Sequence, residues 1–144
     1  MGILCARDSV LGRKEKVYWS DLVTAPVITH DLCRTVDEPA LRKASGLSRI
    51  SASSALAIQS FIRGGKYVSP IPQLGGLALP SDLVFRVPEG NAYWRDVYFV
   101  WNEDNNLSAA AIRFCKILRK SIVDMGMSPR GPDGEVLPMP ELPR

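Results

Sequence analysis

Between Ser53 and Pro72 the chain reads SSALAIQSFIRGGKYVSPIP, a succession that leaves few ways for the backbone to continue. Leu56, Ile58, Phe61 and Ile62, with alanines interspersed, suit a helix opened by Ser53 or Ser54 and stopped at Gly64 or Gly65. Beyond the stop, Pro70 and Pro72 fix φ and supply no backbone amide. The segment therefore predicts a structural corner that carries a helix into a strand.

The rest of the chain alternates in the same manner. Gly2 to Ala6 is a short apolar run closed by Arg7 and Asp8, and suits a buried strand. Arg13 to Lys16 reads as a charged turn, and Ser20 or Asp21 is placed to cap a single helical turn. Pro26 to Thr29 reads as a second short strand, running into the polar segment His30 to Arg34. Glu38 to Ala44 has Pro39 in its first turn and Gly46 just past its end, the asymmetry expected of a helix. Arg49 to Ser51 suits a short strand, Leu83 to Val87 alternates weakly, and Asp96 to Trp101 has strongly β-branched and aromatic content. After a turn over Asn102 to Asn106, Ser108 caps a long helix through Met125, with Gly126 as its stop. Strands alternating with helices predict an α/β layer architecture. The expected organisation is one folded domain over 1–125 and a proline- and glycine-rich tail over 126–144.

With 144 residues, 46% hydrophobic and 23% charged, the chain is large enough for one core and too apolar for intrinsic disorder. A net charge of +3, from 18 basic and 15 acidic residues, gives no electrostatic argument for nucleic-acid binding. Cys5, Cys33 and Cys115 are odd in number, far apart and free of CxxC spacing, so neither a disulfide framework nor a thiolate metal site is indicated, and a reducing compartment fits best. The apolar run at the N-terminus is too short for a signal peptide, so the expected location is cytoplasmic, without membrane association. No motif calls for a cofactor.

The constellations that carry chemistry are few. A phosphate-binding loop of the Walker type needs Ser or Thr after Gly-Lys, and here Gly65-Lys66 is followed by Tyr67. His30, the sole histidine, stands beside Asp31 and three residues before Cys33, but a Cys/His pair needs mutual reach and an orienting group, and one histidine without paired thiolates argues against zinc. Arg113, Lys116, Arg119 and Lys120 recur at helical spacing opposite Ile112, Cys115, Leu118, Ile122 and Met125, the pattern of a solvated face opposite a buried stripe. Ser51, Ser53 and Ser54 are more suggestive, because serines opening a helix offer hydroxyls, free amides and the positive end of the dipole to a small anion or carboxylate. Plain capping is the favoured role at that point.

Taken in order, the pieces resemble the C-terminal part of the effector-binding region of LysR-type transcriptional regulators. That family shows a strand, an "hPLA" turn with basic residues and a "v.l.dL...p.I" segment, matched here by ARDSVLGRKEKVYWSDLVTAPVI. It then shows a helix ending in "V..GlGia.lP", matched by SSALAIQSFIRGGKYVSPIP, and a close like DLVFRVPEGNAYWRDVYFVWNEDNNLSAAAIRFCKIL. Gly65 and Pro72 match the family's first glycine and its proline, while Tyr67 replaces its second glycine and is expected to reshape the effector pocket.

The resemblance implies a periplasmic-binding-protein-like (type 2) α/β subdomain, with a C-terminal strand and long helix and a small effector in a cleft. Carried across, Thr29, His30 and Asp31 after the second strand, and Ser51, Ser53 and Ser54 at the helix start, face that cleft, while Ile71 and Pro72 form its wall. It also implies a non-enzymatic sensing fragment whose winged helix-turn-helix and first half-subdomain are missing, so that this chain would not itself bind DNA. The strand Asp96 to Trp101 and the helix Ser108 to Met125 would then be exchanged or paired between copies, giving a homo-oligomer, in the simplest case a dimer. Two alternatives accompany this reading: a truncated partner that associates with full-length regulators, and a small α/β enzyme using His30 and Cys33.

Overall fold

The computed structural model describes residues 1–90, 93 and 107–126. The chain divides into two units between Val97 and Tyr98. The strand expected over Asp96 to Trp101, the turn over Asn102 to Asn106 and the tail beyond Gly126 lie outside the described residues.

The first unit is built around β1, Gly2–Ala6, which is buried along its whole length. An apolar strand with no exposed face must be covered on both sides and paired on both edges. β1 pairs antiparallel with β4, Ser69–Ile71, through Leu4 opposite Ser69 and Gly2 opposite Ile71. On its other edge it pairs antiparallel with β5, Leu83–Arg86, through Ile3 opposite Arg86 and Ala6 opposite Leu83. A parallel pair, β2 at Ile28–Thr29 and β3 at Ile50–Ser51, continues the layer. Val27 bridges in parallel to Val68, with the Ile28 amide donating to the Val68 carbonyl at 2.8 Å and the Val68 amide to the Pro26 carbonyl at 3.1 Å. The strands therefore lie in the order β3-β2-β4-β1-β5.

Period-two alternation sorts the side chains onto two faces. Ile3 and Cys5 join Val27, Val68, Trp19, Leu22, Leu41 and Ala44 in one apolar cluster, whereas Leu4 joins Ile28, Ile58, Ile62, Ile71 and Leu83 in another. Leu41 and Ala44 belong to α2, Pro39–Leu47, and Ile58 and Ile62 to α3, Ala55–Arg63, so these two helices cover opposite faces of the sheet. That placement follows from handedness. The α2 connection runs from β2 outward to β3, and the α3 connection runs back across β2 to β4. Two right-handed crossovers in opposite directions put their helices on opposite faces.

Local chemistry sets the element ends. The Glu38 carboxylate accepts from the Ala40 amide at 3.0 Å and Pro39 takes the first position of α2, as expected. Gly46 lies inside the last turn rather than beyond it, because the helix runs on to Leu47 until the Ser48 hydroxyl meets the carbonyls of Val27, at 2.6 Å, and Ile50, at 2.9 Å. The 3₁₀ turn Trp19–Val23 starts at Tyr18, not at Ser20 or Asp21, and Asp21 reaches back to accept from the Tyr18 amide at 2.9 Å. The expected charged turn follows a short helix α1, Val10–Arg13, which takes in only Arg13 of it; the Ser9 hydroxyl accepts from the Gly12 amide at 3.1 Å, and Glu15 and Lys16 form a bend. At the corner after α3, Gly65 has φ of +74°, a left-handed conformation that any side chain would strain.

In the second unit α4, Ala109–Asp124, is capped by the Ser108 hydroxyl, which accepts from the Ala111 amide at 3.2 Å. Phe114, Ile117 and Val123 on this helix are each more than half exposed.

Candidate functional site

The parallel strands β2, β3 and β4 all end at one edge of the sheet. After β2 the chain turns at His30 into a 3₁₀ turn, Asp31–Arg34, whose Cys33 joins the α2 face. After β3 it turns through Ser51 to Ser54 into α3 on the opposite face. Neighbouring strands whose exits part in this way leave a crevice between their carboxyl ends, and in open α/β sheets that is where ligands bind.

The structure places the residues singled out in the sequence along this edge. Thr29 ends β2, Ser51 ends β3 opposite it, and the Ala52 amide donates to the Thr29 carbonyl at 2.9 Å. The Thr29 hydroxyl donates to the Ile50 carbonyl at 3.1 Å, so its donor is spent and only its lone pairs remain to accept. His30 is half-buried and its Nε2 meets the Pro70 carbonyl at 2.5 Å, which ties the end of β2 to β4. Asp31 is exposed at the start of its turn.

Ser51, Ser53 and Ser54 are all exposed. Ser54 occupies the position preceding α3 but makes no side-chain cap bond, contrary to the capping role favoured from sequence. The first intrahelical bond of α3 runs from the Ile58 amide to the Ser54 carbonyl at 3.0 Å, so the amides of Ala55, Leu56 and Ala57 have no intrahelical acceptor. Serine hydroxyls and helix-start amides thus follow one another along the turn out of β3, a donor set suited to a carboxylate. Ile71, buried, and Pro72, half-buried, end β4 on the far side of β2 from the serines.

Sequence reading missed what long-range antiparallel pairing adds to this edge, namely the start of β1 at Gly2 and the end of β5 at Arg86. Arg86 is three strands from β2, about 14 Å away. Its guanidinium donates instead to the Glu15 carbonyl at 3.2 Å.

The pairing of His30 with Cys33 as catalytic groups is not supported by the geometry. Cys33 is buried, burial pushes its thiol pKa up against a smaller opposing effect of backbone hydrogen bonding, and the Cys33 amide donates to the His30 carbonyl at 2.9 Å. A buried thiol held protonated is a poor nucleophile. Among the described residues no group of three or more His, Cys, Asp or Glu could hold a metal ion.

The family model of the LysR substrate binding domain matches residues 1–122. The chain belongs to that family. Its fold is accordingly the periplasmic-binding-protein-like type 2 fold, and the family is one of regulators rather than enzymes. No curated protein matches the chain significantly. Among the described residues no helix is long and apolar enough to cross a membrane.

Tyr67, at the family's second glycine, precedes Val68 and lies at the amino edge of the parallel strands, where its ring meets Phe61 edge-on at 6.0 Å. That is the end of the strands opposite the crevice.

Proposed function

We propose that this LysR-type domain senses a small carboxylate in the crevice between the carboxyl ends of β2 and β3. The observation that carries the reading is the run of exposed Ser51, Ser53 and Ser54 leading into an α3 start without a side-chain cap, on a sheet whose adjacent strand exits part to opposite faces. In this reading Ser51, Ser53 and Ser54 donate to the carboxylate, Thr29 and His30 accept from or flank the ligand, Asp31 selects against a second negative charge, and Ile71 with Pro72 forms the apolar wall. The role is non-catalytic and cytoplasmic, and the sensing domain comprises 1–125 with 126–144 as a tail. We further propose that copies of the chain pair through α4, whose exposed Phe114, Ile117 and Val123 favour contact with an apolar partner.

A thermal-shift screen against small aromatic and aliphatic carboxylates tests the sensing role, since a ligand that binds only the native state raises apparent stability by mass action. A saturable shift is expected, weakened about tenfold in affinity by Ser53→Ala or Ser54→Ala, each of which removes one charge-assisted hydrogen bond. No shift with any carboxylate, or a shift indifferent to both substitutions, would refute the assignment. Light scattering tests the pairing, and a monodisperse monomer at micromolar concentration would contradict it.

A further inference from the structure

A cavity of ≈ 230 Å³ opens at the edge of the sheet opposite the crevice, where β2, β3 and the approach to β4 begin. Its walls come from stretches far apart in sequence: residues between Val23 and Val27, residues between Ala44 and Ile50, and Lys66 with Tyr67. Val27 and Ala44 are buried, and Ile50 and Tyr67 half-buried, so the floor is apolar. The polar group nearest that floor is already satisfied, since the Ser48 hydroxyl lies 2.6 Å from the Val27 carbonyl and 2.9 Å from the Ile50 carbonyl.

Charge at this cavity has one sign. Arg49 and Lys66 line it, no Asp or Glu does, and neither cation takes part in an ion pair among the described residues. Arg49 immediately precedes β3 and Lys66 stands two residues before Val68, on the strands either side of β2, so their backbones are two strand spacings, at least about 9–10 Å, apart. The Lys66 ammonium is steadied over the Tyr67 ring at 5.6 Å from its centroid. A neutral apolar guest would supply neither cation with a counter-charge, and an inorganic anion would leave the floor unfilled. The complementary guest has an apolar body and a single carboxylate.

We propose that this cavity is a binding site for a small organic monocarboxylate, separate from the crevice at the other end of the same strands. A ligand there bridges stretches that meet only in the folded chain. It therefore stabilises the native sheet whether or not the crevice is occupied.

The test is an amide-resolved NMR titration of the full chain with benzoate and hexanoate, and with benzyl alcohol as a neutral counterpart. Saturable shifts are expected at the amides of Leu47 to Ile50 and of Lys66 and Tyr67, with benzyl alcohol binding at least about tenfold more weakly. Arg49 and Lys66 are exposed, so an Arg49→Gln/Lys66→Gln protein keeps the wild-type spectrum elsewhere while its carboxylate affinity falls about tenfold or more. Shifts confined to Thr29, His30 and Ser51 to Ser54 would assign both carboxylates to the crevice alone and overturn the proposal. Equal binding of benzyl alcohol, unchanged affinity in the double variant, or no saturable shift at this edge would overturn it as well.

Discussion

Replacing Ser69 with alanine isolates the joint between the parallel and antiparallel parts of the sheet. Ser69 is 0% exposed, and its hydroxyl donates to the Ile28 carbonyl at 2.9 Å, from β4 to β2. An ordinary hydrogen bond contributes about 1 kcal/mol net, and a buried acceptor left without its donor costs about 1 kcal/mol more because water cannot reach it. Alanine also spares the burial of a hydroxyl, which offsets part of that loss, so the expected cost is about 1.5 kcal/mol. Thr29→Val is the matched comparison: it removes a hydroxyl that donates to the Ile50 carbonyl at 3.1 Å, but Thr29 is only half-buried and water can replace the lost donor. Its cost should be about 0.5 kcal/mol. Urea unfolding followed by circular dichroism reads both as a lowered midpoint at unchanged slope. If Thr29→Val costs as much as Ser69→Ala, or if Ser69→Ala is neutral, the joint is held by apolar packing and the reasoning from buried polar groups fails.

Further expectations concern particular side chains. A Cβ at Gly12 would collide with the Ala6 carbonyl and stand 2.6 Å from the Arg7 carbonyl, so Gly12→Ala should cost about 1–3 kcal/mol in a thermal melt. Gly46 in α2 has nothing within 4 Å of the same atom, and Gly46→Ala should stabilise by about 0.5–1 kcal/mol; equal signs for the two would contradict the helix placements. Burial tends to raise the Asp21 carboxyl pKa, but hydrogen bonds from Lys14 at 2.6 Å and from the Tyr18 amide at 2.9 Å, with the Lys14 charge, hold it below the usual carboxylate value. Its stabilisation is therefore fully present above the unfolded-state pKa of about 3.9 and is lost as pH falls through the lower folded value. Because Lys14 is well exposed, Asp21→Asn should cost only about 0.5–1 kcal/mol at neutral pH, and a stability gap that persists unchanged in acid would refute the sign. Burial raises the pKa of both the Cys5 and Cys33 thiols, so iodoacetamide at neutral pH should modify Cys115, which is partly exposed, well before either; mass spectrometry would reveal the reverse order.

How much of this was legible beforehand differs between local and distant structure. The short strands and the helices after Glu38, Ser54 and Ser108 could be read because their caps and stops act over a few residues. Gly46 misled because a glycine in a last turn is tolerated when a later group, here Ser48, closes the helix against neighbouring carbonyls. The capping role expected for Ser54 failed for a related reason, since propensity says which residue can cap but not whether its hydroxyl turns toward the helix. In the candidate site, Ser51 to Ser54 were found by their position before a helix, and Thr29 and His30 by the resemblance to the family. Their meeting depends on the crossover handedness, which sequence patterning permits but does not display. The partner of His30 is Pro70, forty residues later, and nothing in the sequence near either residue announces it. The amino-edge cavity was invisible for the same reason, because Arg49 and Lys66 become neighbours only through β2.

The position of β1 bears on how the chain acquires its fold during synthesis. Both edges of this wholly apolar strand are satisfied by segments that are translated much later, Ser69–Ile71 and Leu83–Arg86. At about 5–20 residues per second, an interval of roughly 4–16 s separates the emergence of β1 from that of its last partner. Over that interval the strand offers two open ladders to any neighbouring nascent chain, so wider spacing of ribosomes on the message should raise yield without touching the stability of the finished protein.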